Sequence, residues 1–281
     1  MNNRGWLVIL SLVLTGVFAA TAGLAEETGK ETAVAPLEPV AAKPLRFLSS
    51  FDVPPFSFSE AGRKVGFEVD LGEALGEALG RPVKWIQRPF NIPSLSSEIN
   101  GGRADAILDA VTVTEDREQY FLFTIPYYRT SLAVATYQDV DWDSSAFRFG
   151  LRRIIRVGVM RRTTGEEWAR KNLEATRVTF DSPSRLARAL NDREVELILF
   201  DEPILRWELA KRHYKFKIVE TGIDSQDYAI AVSPSNPDLV GELNGALKKL
   251  EEDGVYSEIY QKWYNAAGQL PELGKIRGAE R

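Results

Sequence analysis

Three short stretches of the sequence hold groups that could grip a small charged molecule. In LDAVTVTEDREQYFLFTIPYY (Leu108–Tyr128), Thr112 and Arg117 flank the end of an apolar run that reads as a core strand through Val113, and a dense aromatic block follows. Arg161-Arg162-Thr163-Thr164-Gly165 joins a predicted strand to a predicted helix, where free backbone N–H groups and the helix dipole favour an anion. Asp201 ends the apolar run VELILF, directly before a helix expected to start at Pro203. In α/β sheets ligands bind beyond the carboxyl ends of strands, and all three places are such ends. Together they supply a guanidinium fork, a helix terminus and a carboxylate, a set that complements a molecule with one anionic and one cationic end. Taken singly, Arg117 also suits a surface ion pair, Asp201 a helix cap and Thr164 a turn.

Other chemistries find little support. There is no GxSxG, no Walker loop and no GxGxxG after a strand. Cysteine is absent, which removes thiolate nucleophiles, disulfides and Cys-ligated metals together. The single histidine, His213, sits in AKRHYKFK and reads as part of a solvated basic helix end. The acid pairs Glu115-Asp116, Glu166-Glu167 and Asp201-Glu202 stand at helix starts, where they complement the dipole. No metal and no cofactor is expected.

These groups need a scaffold, and the periodicity supplies one. LRFLSSF reads as a strand, and from Phe67 the spacing predicts a helix with Leu71, Ala74, Leu75, Ala78 and Leu79 on one face. Gly72, Gly76 and Gly80 in that helix suggest close packing on a sheet, since Glu73 and Glu77 interleave them. Strand PVKWI, a helix near Pro93–Asn100 and strand ADAIL follow. After Tyr128 the alternation repeats, with strands at Leu132–Thr136, Ile155–Val159, RVTFD, VELILF and FKIVE and helices GEEWARKNL, SRLARALN and one from Pro203. Two such units imply two α/β lobes, each with a mostly parallel sheet. DYAIAV then reads as one more strand, Asn236-Pro237 to Gly254 as a helix, and Tyr256, Ile259, Tyr260 and Trp263 as an aromatic knob at helical spacing.

The chain has 281 residues and a net charge of −5. Residues 1–25 read as an export signal: Arg4 supplies the positive end, Trp6 to Val17 is apolar, and Gly23-Leu24-Ala25 offers small residues for cleavage. An uncleaved membrane anchor over Gly5–Ala25 is the alternative. Without residues 1–25 the chain loses one base and no acid, leaving 34 basic against 40 acidic residues and a net charge of −6. That balance gives no basic face for nucleic acid. Residues 26–44, rich in Ala, Pro and Glu, read as a disordered linker.

The motifs PPFSF, VGFEVDL, INGGRADAIL, TVTEDR, FTIPYY, RRTTGEEW, VELILFDEP, DYAIAV and GVYSEIYQKWY occur in an order that resembles the family-3 extracellular solute-binding proteins, the polar amino-acid receptors of ABC importers. The resemblance runs from about Leu45 to Tyr264. It implies a type II periplasmic binding protein fold, with two α/β lobes joined by two crossing hinge strands near Leu132–Thr136 and Asp227–Val232. Lobe 1 would hold residues 45–131 with 229–267, lobe 2 residues 132–228, and residues 268–281 would form a flexible tail. It further implies a monomer in the periplasm that captures a polar amino acid and delivers it to an inner-membrane ABC permease. Arg117 matches the arginine that clamps the ligand carboxylate, with Thr164 and Gly165 completing that site. Thr112 and the carbonyl of Ala110 match groups around the ligand's amino end, and Asp201 matches the carboxylate that binds the ammonium.

The pattern is broken at several positions that face the ligand's side chain. Ser50 stands where an acid is common, Val53 where an aromatic lines the pocket, and Phe51 or Phe90 is the candidate replacement. Asp109 stands where a small residue is usual, and Thr163 where glycine is preferred, which raises the question of the loop's path. Arg161 and the missing acid at Ser50 point to glutamine or glutamate as ligand, whereas Asp109 points to lysine or arginine. An enzyme on the same scaffold, similar to cyclohexadienyl dehydratase, is the competing reading, with Asp109 or Glu202 as its acid. A third reading, the sensor domain of a signalling receptor, would require a membrane span and a cytoplasmic portion beyond residue 281.

Overall fold

A computed structural model of the chain describes residues 42–143, 155–212 and 214–264. The expected signal segment, His213, the tail at 268–281 and all but the last residues of the expected linker lie outside that range. The described chain opens with β1 (Leu45–Ser49), a short ribbon of β2 (Asp52–Val53), β3 (Ser57–Glu60) and β4 (Arg63–Val65), helix α1 (Phe67–Ala78) and β5 (Val83–Gln87). Next come α2 (Ile92–Asn100), β6 (Ala106–Ile107), α3 (Glu115–Glu118) and β7 (Leu122–Phe123). The long β8 (Tyr128–Tyr137) leads to β9 (Arg156–Met160), α4 (Thr164–Asn172), β10 (Thr176–Phe180), α5 (Pro183–Asn191), β11 (Leu197–Asp201) and α6 (Glu202–Arg212). Then β12 (Phe216–Tyr228) and β13 (Ala231–Val232) precede α7 (Pro237–Glu252) and α8 (Val255–Tyr264).

Two five-stranded sheets form, in the orders β5-β1-β6-β13-β7 and β10-β9-β11-β8-β12. Each contains two parallel and two antiparallel pairings, rather than the mostly parallel sheet that strand–helix alternation predicts. The reason lies in the long-range strands. β8 and β12 run antiparallel to each other as a bulged ribbon, and β13 returns from far along the sequence to pair with β6 and β7.

DYAIAV is therefore not one strand. Tyr228 ends β12 opposite Tyr128, Ala231 pairs with Ile107 in the other sheet, and the chain crosses between sheets at Ala229–Ile230. The run LDAVTV is divided in the same way. Leu108 N–H still reaches the Leu48 carbonyl at 3.0 Å, but Ala110 takes a left-handed backbone with φ +49°. Beyond that turn Val111–Val113 lies beside the end of β12, with Thr112 bridged to Tyr228.

The helices pack where their small residues allow. A Cβ on Gly72 would lie 2.5 Å from the Trp85 ring, and one on Gly76 would lie 2.3 Å from Val83, so both glycines seat α1 against β5. The aromatic face of α8 closes on α1, with Tyr256 5.9 Å from the Phe67 ring and its hydroxyl donating to the Tyr127 carbonyl at 2.5 Å. Phe56 joins Tyr128 and Tyr228 at 5.0 and 5.2 Å, so the aromatic core is continuous beneath the crossing strands.

Gly66 caps α1 at φ +137°, and an added Cβ would fall 2.0 Å from the Phe56 carbonyl oxygen. Gly66→Ala should lower stability by about 1–3 kcal/mol from backbone strain alone. Gly245→Ala, exposed within α7 and facing open space, should raise it by about 0.5–1 kcal/mol. Urea denaturation of both variants checks the pair; equal effects would contradict the backbone assigned to Gly66.

Candidate functional site

The left-handed turn at Ala110 and the short helix α3 place the first group of candidates. Thr114 caps α3, its hydroxyl accepting the Arg117 N–H at 3.3 Å. This directs Arg117 inward, where it is 8% exposed. Its guanidinium donates to the Thr112 carbonyl at 2.8 Å and lies 5.7 Å from the centre of the Phe90 ring. Among the described residues no carboxylate comes within ion-pairing distance of it. Burial holds the guanidinium below its ordinary pKa, against the fields of Asp201 and Glu167.

The second group comes from the other sheet. Asp201 is buried at the carboxyl end of β11 and accepts the hydroxyl of Tyr228. Burial pushes its carboxyl up to about 7, although Arg117 draws it down. Helix α4 starts at Thr164 behind the cap Thr163, whose hydroxyl donates to the Met160 carbonyl at 2.8 Å and lies 3.4 Å from the Glu166 N–H. A threonine thus fits the position where glycine was expected, while the left-handed residue of this loop is Arg162, at φ +63°.

These elements meet around a cavity of about 50 Å³, lined by Val53, Phe90, Asp109, Ala110, Thr112, Arg117, Thr164 and Asp201 together with Met160, Thr163, Pro183, Phe200 and Ile204. Eight of the eleven sequence-proposed residues are in this wall. Ser50 and Arg161 instead line an adjoining groove of about 650 Å³ that shares Val53, Phe90, Met160 and Pro183 with the cavity. Gly165 lines neither; it is packed toward Leu132 and the Leu199 carbonyl. Arg161 is half exposed and paired with Asp181 at 2.8 Å, so its charge is already met outside the cavity. Glu202, the other acid considered for catalysis, pairs with Arg206 and accepts from Ser131, away from this wall.

Four polar groups at the site escaped the sequence reading. Gln226 accepts the Thr112 hydroxyl at 3.1 Å and the Thr164 hydroxyl at 2.9 Å, joining residues beside both sheets through one amide. Tyr228 stands two residues on, on the same strand face, and holds Asp201. Glu68, fully buried in α1, accepts the Ala110 N–H at 2.6 Å and the Tyr127 hydroxyl, bracing the turn. Ser57 donates to Asp109 at 3.2 Å. Polar residues two apart in SQDYAIAV were a visible signal for the first two; Glu68 and Ser57 carried none.

Among the described residues no group of His, Asp and Glu could hold a metal ion, and no helix is long and apolar enough to cross a membrane.

The chain is similar to known proteins along most of its length. An Escherichia coli (strain K12) protein provisionally named ABC transporter arginine-binding protein 2 is 31% identical over 237 residues, covering 81% of this chain and 93% of its own. The arginine-binding periplasmic protein of Mannheimia haemolytica is 28% identical over 217 residues, covering 75% and 86%. Among solved structures, an ancestral arginine-binding protein bound to glutamine matches with a TM-score of 0.70 at 26% identity, covering 79% of this chain and 97% of its own. The two-lobed type II periplasmic binding protein fold is common to these structures and this one. The matching family profile spans residues 45–266, and the chain belongs to the bacterial extracellular solute-binding proteins, family 3.

Proposed function

We propose that the protein captures a free amino acid outside the inner membrane and presents it to an ABC permease. The observation that carries this reading is the buried Arg117 guanidinium, which has a backbone carbonyl but, among the described residues, no carboxylate partner, in one cavity with the Asp201 carboxylate. A bound α-carboxylate would take the fork in two parallel hydrogen bonds, as lysine could not arrange. A bound α-ammonium would take Asp201 and bring its carboxyl back into the ordinary range. The relatives named for arginine binding support the same class of ligand.

On this reading residues 45–131 with 229–267 form one lobe and residues 132–228 the other, with β8 and β12 as the hinge. Arg117 stands on the first lobe and Asp201 on the second. A zwitterion touching both gives the closed state contacts that an open state lacks, which is the condition for a ligand to shift the population. The protein acts as a monomer, is exported by cleavage after Ala25, and binds its ligand without turning it over.

Arg117→Ala should keep the fold by circular dichroism and lose about 2–5 kcal/mol of binding, roughly thirtyfold to several thousandfold in affinity. Asp201→Asn should lose a similar amount. Calorimetry with the amino acid identified in a thermal-shift screen measures both. A folded Arg117→Ala that binds within about threefold of wild type would make Arg117 a structural residue and misplace the carboxylate site. Export has its own test: N-terminal sequencing of the secreted protein should begin at Glu26, and an intact Met1 on membrane-bound protein would contradict cleavage. Incubation with a prephenate-like acid should give no dehydrated product, and steady product formation would favour the enzyme reading.

A further inference from the structure

Beneath the cavity lie two carboxyl groups that the zwitterion reading leaves unused. Asp109 is 2% exposed and forms part of the cavity wall. Its Oδ1 is surrounded by the hydroxyls of Ser50, Ser49 and Ser57 at 2.8, 3.1 and 3.2 Å, while Oδ2 is buried with no partner. Glu68 is 0% exposed; its Oε1 takes the Ala110 N–H and the Tyr127 hydroxyl, and its Oε2 is likewise buried without a partner. Ser57 stands between them, in reach of both acids. No ion pair to either acid exists among the described residues, so two buried acids share hydroxyl donors and no cation. A buried polar atom left unpartnered is disfavoured, and two carboxylates this close do not both ionise readily.

We propose that Asp109 in the cavity wall is the seat for the cationic side chain of the ligand, and that the arriving cation displaces a proton which Asp109 and the buried Glu68 together hold when the site is empty. This rests on the amino-acid reading above and specifies the ligand's side chain. The displaced proton passes to solvent, so the pair's charge falls by one unit as the ligand's positive charge takes its place.

Several features favour a cation here over the glutamine or glutamate suggested by Ser50 and Arg161. Ser50 lacks an acid, but its hydroxyl lies 2.8 Å from Asp109, so the acid stands at the same corner on a different strand end. Phe90, which already faces the Arg117 guanidinium, lines both the cavity and the adjoining groove, offering a ring face to a second cation and length for an extended side chain. Arg161, the group expected to meet an acidic side chain, is engaged by Asp181. A separate pocket, which shares Thr164 with the cavity wall, is lined by Glu115, Asp116, Glu167 and Asp224 against Lys171, a field that favours cations beside the cavity. A glutamate side chain would instead meet two buried acids.

The sign of the pH dependence follows. Burial raises the carboxyl of Glu68 to about 8, with Asp109 adding to it, and burial raises Asp109 to about 6 against its serine donors. The other titratable groups facing the pair are Tyr127 and Tyr264, both held above the ordinary tyrosine range and neutral, and the cation sharing the cavity is Arg117. A seated cation lowers both acid pKa values, so its affinity rises with pH between about 5 and 8 and falls on acidification.

Calorimetry on the purified protein with arginine and with citrulline, its uncharged near-isostere, tests the proposal at pH 7 in two buffers of different ionisation enthalpy. Arginine should bind at least about tenfold more tightly than citrulline and release a measurable fraction of a proton. Asp109→Asn should bring the two ligands within about threefold of each other and abolish the release. Glu68→Gln, which keeps an acceptor for the Ala110 N–H, should keep the preference and lose most of the release. If Asp109→Asn does not fold, wild type and Glu68→Gln decide the matter. Tight binding of glutamine or glutamate with arginine no better, or arginine binding without proton release, would overturn this proposal while leaving the amino-acid reading intact. No binding of any α-amino acid would overturn both.

Discussion

A buried guanidinium with no counter-ion among the described residues is the constraint around which the rest of the site is arranged. Removing a charge from water is costly, and a single backbone carbonyl does not replace the hydration that Arg117 gives up. The protein offsets part of that cost at a distance, through the fields of Asp201 and Glu167, without letting either acid close into an ion pair. That separation requires rigid supports on both sides. On one side Thr114 caps α3, Glu68 braces the Ala110 turn, and Phe90 covers the fork. On the other, Tyr228 holds Asp201, and Asp201 ends a buried strand. Such preorganisation leaves little to be ordered when a ligand arrives.

The same constraint accounts for the topology. Groups that must face each other without touching come from sheets that share no strand. β8 and β12 carry the chain between them, and Gln226, on the second of these, ties Thr112 to Thr164. Its amide is therefore a sensitive point: it reports on the spacing of the two walls while contributing to neither sheet's core. Below it the rings of Phe56, Tyr128 and Tyr228 form an apolar floor that keeps the crossing strands together.

Much of this was legible in the residues. Helix α1 was visible from its leucine and alanine spacing; its glycines were read as close packing, which Trp85 and Val83 satisfy at Gly72 and Gly76, whereas Gly80 lies beyond the helix at φ +63° with nothing within 4 Å of an added Cβ. Arg117, Thr112, Thr164 and Asp201 were proposed because strand ends and helix starts attract ligands, and one cavity gathers all four. The failures share a cause. The split of LDAVTV and of DYAIAV between sheets, the antiparallel half of each sheet and the role of Gln226 all depend on partners more than 60 residues away, which local periodicity does not encode. Arg161 lines the adjoining groove, and its pairing with Asp181, 20 residues further on, depends on how the loop folds back. The aromatic block after Arg117 is divided, with Tyr127 and Tyr128 buried and Tyr120 42% exposed.

The central claim is that Arg117 is kept unpaired for a carboxylate that arrives with the ligand. The most direct measurement compares the amino acid that binds best with its α-carboxamide, identical but for the missing negative charge, by calorimetry on the wild-type protein. The account predicts that the carboxamide binds at least about thirtyfold more weakly, because it leaves the buried guanidinium without its charge partner. Equal affinity for the two would show that no carboxylate reaches Arg117 and would contradict the account.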